Sequence, residues 1–296
     1  MKRNHGYTLI ELLVVFAIIG ILAPILLETH TVAGEAAQRR LINLKEPEQL
    51  AGRRPILIAH RGGIVGPGSP ECSRNAIVRA SRAGYDMVEL DIQSSKDGQP
   101  IVFHDRKLRP ACEVDGSVAD YGADVLQTTV FVENGEAVLH LNDALALCAQ
   151  ERLGVMLDIK DKGSEGFYRR ILGLLKRFEL THAAMCINGE PAIRKHLGKH
   201  IMLRATDRRS ADLSGLFWFG LASKLTADKA HDLQARGALV IPAINTFRYD
   251  AATHRVDARA DAKRLLEAGV DGFQIDSVYQ NDFGLGEAFP SAMDEQ

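Results

Sequence analysis

With 296 residues, 46% of them hydrophobic and 25% charged, the chain can bury a full core and is not disordered. Its formal net charge of −2 argues against a nucleic-acid binder working through bulk positive charge, yet leaves room for a few local cations to hold an anionic substrate. The four cysteines, Cys72, Cys112, Cys148 and Cys186, form no CxxC pair, so a cysteine zinc site is not expected. They read as unpaired thiols, with Cys72 and Cys112 the pair to test for a bridge if the domain lies outside the cytoplasm.

The first predicted element is an apolar helix. Lys2 and Arg3 precede Gly6, and the run over residues 7–27 is apolar apart from Thr8 and Glu11. At ~1.5 Å per residue it matches the ~30 Å hydrocarbon core of a bilayer. The positive charges ahead of it predict an inside N-terminus, with the remainder of the chain crossing the membrane. A carboxylate such as Glu11 inside an apolar helix is costly and usually functional. The stretch Gly6-Tyr7-Thr8-Leu9-Ile10-Glu11 resembles the type IV prepilin leader. That resemblance implies cleavage after Gly6 by a prepilin peptidase, methylation at Tyr7, and an assembly role for Glu11. A plain signal anchor or a cleaved secretory peptide is the alternative. Residues 28–54, charged and polar with scattered Leu and Ala, read as a stalk or linker, and residues 55–296 as the catalytic domain.

Within that domain, short apolar runs alternate with amphipathic stretches. Strands are predicted over 56–60, 87–92, 100–104, 154–160, 184–187, 201–204, 238–244 and 272–276. Helices are predicted over 75–83, 141–151, 166–178, 227–236 and 257–268. Such alternation implies βαβ units and a parallel sheet, and eight strands fit a closed TIM (β/α)8 barrel. Residues 109–137 read as an excursion between the third strand and its helix, with turn signals at Asp115-Gly116 and Asn134-Gly135.

The polar residues of these strands carry the chemistry. Side chains two apart on a strand share a face. In Val88-Glu89-Leu90-Asp91-Ile92 the carboxylates point one way and the apolar residues the other; Leu157-Asp158-Ile159-Lys160 repeats the pattern. Glu89, Asp91, Asp158 and Lys160 are therefore expected to point into the barrel near its C-terminal mouth. Crowded carboxylates repel, and a hard cation with oxygen ligands relieves that cost, which favours Ca²⁺ or Mg²⁺ over zinc. His60 and His104 end strands and could supply a general acid and a general base. Arg61 and Lys160 offer cations for a phosphate, and Gly62-Gly63 would let the backbone approach a ligand.

Ala59-His60-Arg61-Gly62, Pro70-Glu71, Gly84 to Asp91, Lys96 to Asp105, Leu157 to Lys160 and Gly269 to Asp276 together resemble the glycerophosphodiester phosphodiesterase family. The resemblance implies a TIM barrel with one divalent cation, His60 and His104 as the acid–base pair, and Glu89, Asp91 and Asp158 as metal ligands. It implies that Arg61 and Lys160 bind substrate phosphate, and that Glu71 supports or joins the metal site. Three departures stand out: Cys72 where the family has Asn, Asp158 where it has Glu, and Pro242-Ala243-Ile244-Asn245 where a tryptophan-bearing strand end is usual. The expected activity is hydrolysis of glycerophosphodiesters to glycerol 3-phosphate and an alcohol, on the outer face of a bacterial cytoplasmic membrane. The alternatives are a related barrel that cleaves lysophospholipids and a non-catalytic pilin-like subunit.

Overall fold

The computed structural model describes residues 40–285, apart from Pro47, Gln49, Ala51, Lys162 and Arg208. The expected leader and membrane helix over 1–27, and the linker up to residue 39, lie outside the described residues. Among the described residues, no helix is long and apolar enough to cross a membrane.

Ten strands among the described residues form one sheet: β1 Ile56–Ala59, β2 Met87–Ser94, β3 Pro100–Val102, β4 Leu139–His140, β5 Gly154–Ile159, β6 Ala184–Cys186, β7 Met202–Arg204, β8 Leu216–Leu221, β9 Leu239–Ile244 and β10 Gly272–Ile275. Eight of them, β1, β2 and β5 to β10, pair in parallel, and the β1–β10 and β1–β2 pairings close the cylinder. The expected barrel is therefore present, with two differences from the predicted strand set.

The run expected as the third barrel strand leaves the barrel. β2 continues past the rim to Ser94 and turns back at Asp97-Gly98, where Gly98 adopts φ +75°. β3 then pairs antiparallel, with Ile92 opposite Val102. A connection this short can only reverse the chain, because a parallel neighbour needs a long crossover. The excursion accordingly starts at β3 and runs through β4, with its own small core around Phe103, Leu108, Leu126 and Phe131. The second difference is β8, whose continuous apolar run Leu-Phe-Trp-Phe-Gly-Leu carries no alternation to mark it as a strand. It supplies the sixth barrel position, and Leu157-Asp158 falls on the third rather than the fourth.

Period-two alternation sorts the strands into two layers. Ile56 and Ile58, Met87, Met156, Met185, Met202, Phe217 and Ile241 fill the lumen. Leu57, Val88, Leu90, Val155, Leu157, Val240 and Phe273 pack outward under the helices. Those helices begin at polar caps, as where Ser73 accepts from the Ala76 amide ahead of Arg74–Ala83, and where Ser164 does the same for Glu165–Arg177.

From Leu41 onward, the stretch read as linker packs against the N-terminal end of the barrel. Ile42, Leu44 and Leu50 are buried in the lumen cluster, and the Leu44 amide donates to the His182 carbonyl at 2.9 Å. A side chain on Gly154 would come within 2.8 Å of Ile42. This plug packs into one end of the cylinder, and the polar row lies at the other.

Candidate active site at the barrel mouth

The inward row that is apolar at the bottom of the lumen turns polar at the carboxyl ends of the strands. Glu89 and Asp91 on β2 are each 1% exposed. With Asp158 on β5 they present three carboxylates whose oxygens lie within 4.8 Å of one another. The register puts Asp91 directly beside Asp158. Burial and the neighbouring charges of Asp91 and Asp158 push the Glu89 carboxyl well above the usual range. Lys160 Nζ lies 2.7 Å from Asp91 and 2.5 Å from Asp158. Burial alone would lower its pKa, but the two carboxylates win and raise it, so the ammonium stays charged. Asn188, on the loop after β6, donates to Asp158 at 3.2 Å and accepts from the Ile159 amide at 2.6 Å.

The loop after β1 wraps this trio. Arg61, Gly62 and Gly63 follow one another with φ of +55°, +79° and +138°. This curl turns the Arg61 amide onto a Glu89 carboxylate oxygen at 2.8 Å and the Gly62 amide onto the Glu89 carbonyl at 2.7 Å. A Cβ on Gly62 would meet the Cys72 backbone at 2.6 Å, and one on Gly63 the Ala76 carbonyl at 2.1 Å, so only glycine allows the close approach. Cys72 itself adopts φ +60°, and its thiol points at Asp91, 3.6 Å away. Burial and the charges of Asp91 and Glu89 push that thiol far up, so it stays neutral. The four cysteines are all buried and unpaired, so the Cys72–Cys112 bridge does not form.

The two histidines flank the trio. His60, one residue beyond β1, places Nδ1 2.5 Å from Asp276, one residue beyond β10. Asp276 also accepts from the Thr246 amide at 2.7 Å and the Thr246 hydroxyl at 2.8 Å. Burial would raise the Asp276 pKa, but these donors and the His60 charge hold it down at about 2. The buried Asn245 lies alongside, its amide nitrogen 3.0 Å from His60 Nδ1. His104 arrives by the hairpin: the Phe103 amide donates to the Asp91 carbonyl at 3.0 Å, and Gln93 donates to the carbonyls of Phe103 and Asp105 at 2.7 Å each. His104 Nδ1 then sits 2.8 Å from Asp105. Glu71 ties the two sides together, with one oxygen on the Arg61 guanidinium and the other 3.3 Å from His104 Nδ1. The charge of Glu71 raises the Arg61 pKa against the lowering effect of burial.

Every residue singled out from the sequence therefore reaches this rim. Glu71 groups with His104 and Asp105 rather than with the trio, and Lys160 pairs with two of the three carboxylates. Sequence reasoning passed over Asp276, Asn188, Gln93 and Phe247 as site residues. Asp276 carried a signal, because it ends the last strand just as His60 ends the first. Phe247, 55% exposed, places its ring centroid 6.1 Å from His60.

The class so defined is a parallel (β/α)8 barrel with a cation-suited acidic site between two histidines at its carboxyl-end mouth. Residues 60–164 match the model of the glycerophosphoryl diester phosphodiesterase family, and residues 1–23 match a prokaryotic N-terminal methylation motif. Glycerophosphodiester phosphodiesterase of Bacillus altitudinis is 24% identical over 74% of this chain and 94% of its own length. An uncharacterized Bacillus subtilis protein, YqiK, is 25% identical over the same shares. Among solved structures, a glycerophosphoryl diester phosphodiesterase from Parabacteroides distasonis superposes with a TM-score of 0.64 at 18% identity, covering 86% of this chain and 95% of its own. An Oleispira antarctica phosphodiesterase in complex with the product sn-glycerol-3-phosphate gives 0.58 at 20% identity, covering 79% and 99%. The relatives named for an activity, and these structural neighbours, are phosphoric diester hydrolases.

Proposed function

We propose that the chain hydrolyses glycerophosphodiesters to glycerol 3-phosphate and an alcohol, with His60 and His104 as the acid–base pair. The observation that carries this reading is the Glu71 bridge. It holds Arg61 and His104 on its two oxygens, while the Arg61 amide donates to Glu89 of the acidic trio and the neighbouring His60 is held by Asp276. The donor set fits a hard cation: three carboxylates, two of them nearly inaccessible, with Glu89 forced toward its neutral form for want of compensating charge. Glu89, Asp91 and Asp158 would hold one Mg²⁺ or Ca²⁺, which when bound neutralises phosphate oxygens as a Lewis acid. Glu71 acts from its loop by ordering Arg61 and His104.

The remaining steps belong to the chain's own residues. Arg61 faces the phosphodiester's non-bridging oxygens with a guanidinium already fixed in place, so charge developing there meets a preorganised cation. Lys160 stands beside it as a second one. Asp276 engages His60 Nδ1, which fixes the tautomer and leaves Nε2 as the atom that exchanges a proton. One imidazole takes a proton from the nucleophile, which is either water or the glycerol 2-hydroxyl whose cyclic phosphate water then opens, and the other delivers a proton to the leaving alkoxide. The methylation motif and the apolar run behind it support a membrane-anchored protein, cleaved after Gly6 by a prepilin peptidase, with the barrel outside the cytoplasm.

The test is turnover of glycerophosphodiesters by the full chain with and without chelator. Activity is expected to vanish on chelation and return with Mg²⁺ or Ca²⁺. His60→Ala and His104→Ala are each expected to lower kcat on the order of 10²-fold or more with the fold retained. Near-normal turnover in both variants would end the proposal.

A further inference from the structure

The two histidines reach the rim with unequal support from the barrel. His60 follows directly on β1, which is paired on both sides by β10 and β2, and Asp276 engages its ring. His104 stands two residues beyond the end of β3, on the hairpin that leaves the cylinder, where the regular strand has ended. The carboxylates beside its ring, Asp105 and Glu71, lie on loops and are themselves partly exposed.

One buried side chain fastens this segment to the barrel. Gln93 continues the inward row of β2, two residues beyond Asp91 and four beyond Glu89. It is 7% exposed. A side-chain amide carries two N–H groups on one nitrogen. Here that nitrogen donates to the Phe103 carbonyl and to the Asp105 carbonyl, at 2.7 Å each. The two acceptors are the residues on either side of His104. The Phe103 amide donates in turn to the Asp91 carbonyl at 3.0 Å. The strand that presents Glu89 and Asp91 thus also holds the backbone from which His104 projects. Asp105 gains from the same clamp, because its carbonyl is held while its carboxylate sits 2.8 Å from His104 Nδ1.

The clamp depends on the residue type. Glutamate would set a carboxylate against two carbonyl oxygens, asparagine is one methylene shorter, and an apolar side chain would leave both carbonyls without this donor.

Resting on the phosphodiesterase reading, we propose that Gln93 is a positioning residue for His104: it sets the imidazole at its working place relative to the acidic trio by gripping the chain on both sides of it. A displacement of about 1 Å in a reacting group can cost ~10²-fold in rate. Gln93 acts through the imidazole, so its contribution exists only while His104 is present.

The test is a double-mutant cycle on the full chain with Gln93→Met, which is unbranched and removes the donor, and His104→Ala. In the natural background Gln93→Met is expected to lower kcat by between ~10-fold and ~10²-fold with little change in KM. In the His104→Ala background the same substitution is expected to cost no more than about twofold. A merely structural role would lower both backgrounds by the same factor. Imidazole ¹H–¹⁵N spectra give a second reading: the signals lost in His104→Ala are expected to shift in Gln93→Met, while those lost in His60→Ala stay in place. If Gln93→Met does not fold, Gln93→Asn carries the same cycle and the same spectra. An unchanged kcat, an equal loss in both backgrounds, or unmoved His104 signals overturns the proposal while leaving the phosphodiesterase reading intact. If the natural chain cleaves no glycerophosphodiester, that reading fails, and the spectra alone decide whether Gln93 holds His104.

Discussion

Asp276→Asn isolates the contact that joins the first and last strands of the barrel. The variant keeps the shape of the side chain and removes its charge. The carboxyl is held at about 2 in the fold, against a burial effect that alone would raise it, and against ~3.9 in an unfolded chain. That depression corresponds to about 2.5 kcal/mol of stability at neutral pH. Because the folded value is lowered, the contribution is fully present above the unfolded value and is lost as pH falls through the window from about 4 to about 2. Asp276→Asn should therefore unfold about 5–10 °C earlier at pH 7, taking 2–4 °C per kcal/mol for a domain of this size. The gap between variant and natural chain should narrow when the same melts are run at pH 3. Turnover should fall on the order of 10²-fold or more, because His60 loses the anion that orients it. Equal melting temperatures at pH 7, or a gap that stays constant down to pH 3, would refute the reasoning. Normal turnover in a variant that melts early would refute the catalytic part alone.

Three further outcomes follow from the same geometry. Glu89→Gln is expected to stabilise the cation-free chain above about pH 5, because a carboxyl whose folded pKa is raised costs stability once it ionises; the same variant should lose cation-dependent turnover, and chelated melts with metal titrations check both halves. Cys72→Asn should stabilise by roughly 0.5–1 kcal/mol, since Asn tolerates positive φ better than other side chains and its amide can hydrogen-bond to Asp91. Denaturant titration would show it, and a loss of stability would mean that the buried thiol's packing matters more. Leu44→Ala should cost about 2–4 kcal/mol, as a lumen truncation does. An unchanged denaturation midpoint would mean that the plug is not part of the barrel's core.

The sequence made the candidate site at the rim more legible than the barrel that holds it, and the reason is physical. Alternation with period two is a local property, so Glu89, Asp91, Asp158 and Lys160 could be assigned one face from their own strands, and all four turn inward. Strand partnership is not local. Pro100–Val102 has the composition of a barrel strand, and only the Asp97-Gly98 turn ahead of it, four residues or fewer from β2, showed that it must run antiparallel. Every residue of the Leu216–Leu221 run is apolar or glycine, whichever face it takes, which erases alternation altogether.

What stayed hidden at the site was pairing between distant residues. Asp276 and His60 are separated by most of the domain, and they meet because the barrel closes β10 onto β1. The same closure explains why the acidic trio needs outside charge. Asp91 and Asp158 share the ammonium of Lys160, while the Glu89 carboxylate has the Arg61 amide and the more distant pull of that ammonium to set against burial and two like charges. Three carboxylates against one lysine leave an excess of about two negative charges in a nearly inaccessible row, a cost that protonation of Glu89 can relieve only in part. A divalent cation cancels that excess in full, so cation uptake at this rim should release protons and tighten as pH rises. Calorimetric titration of the full chain with Mg²⁺ or Ca²⁺ in buffers of different ionisation enthalpy measures that release directly, and proton-neutral binding would break the link between the buried trio and the ion.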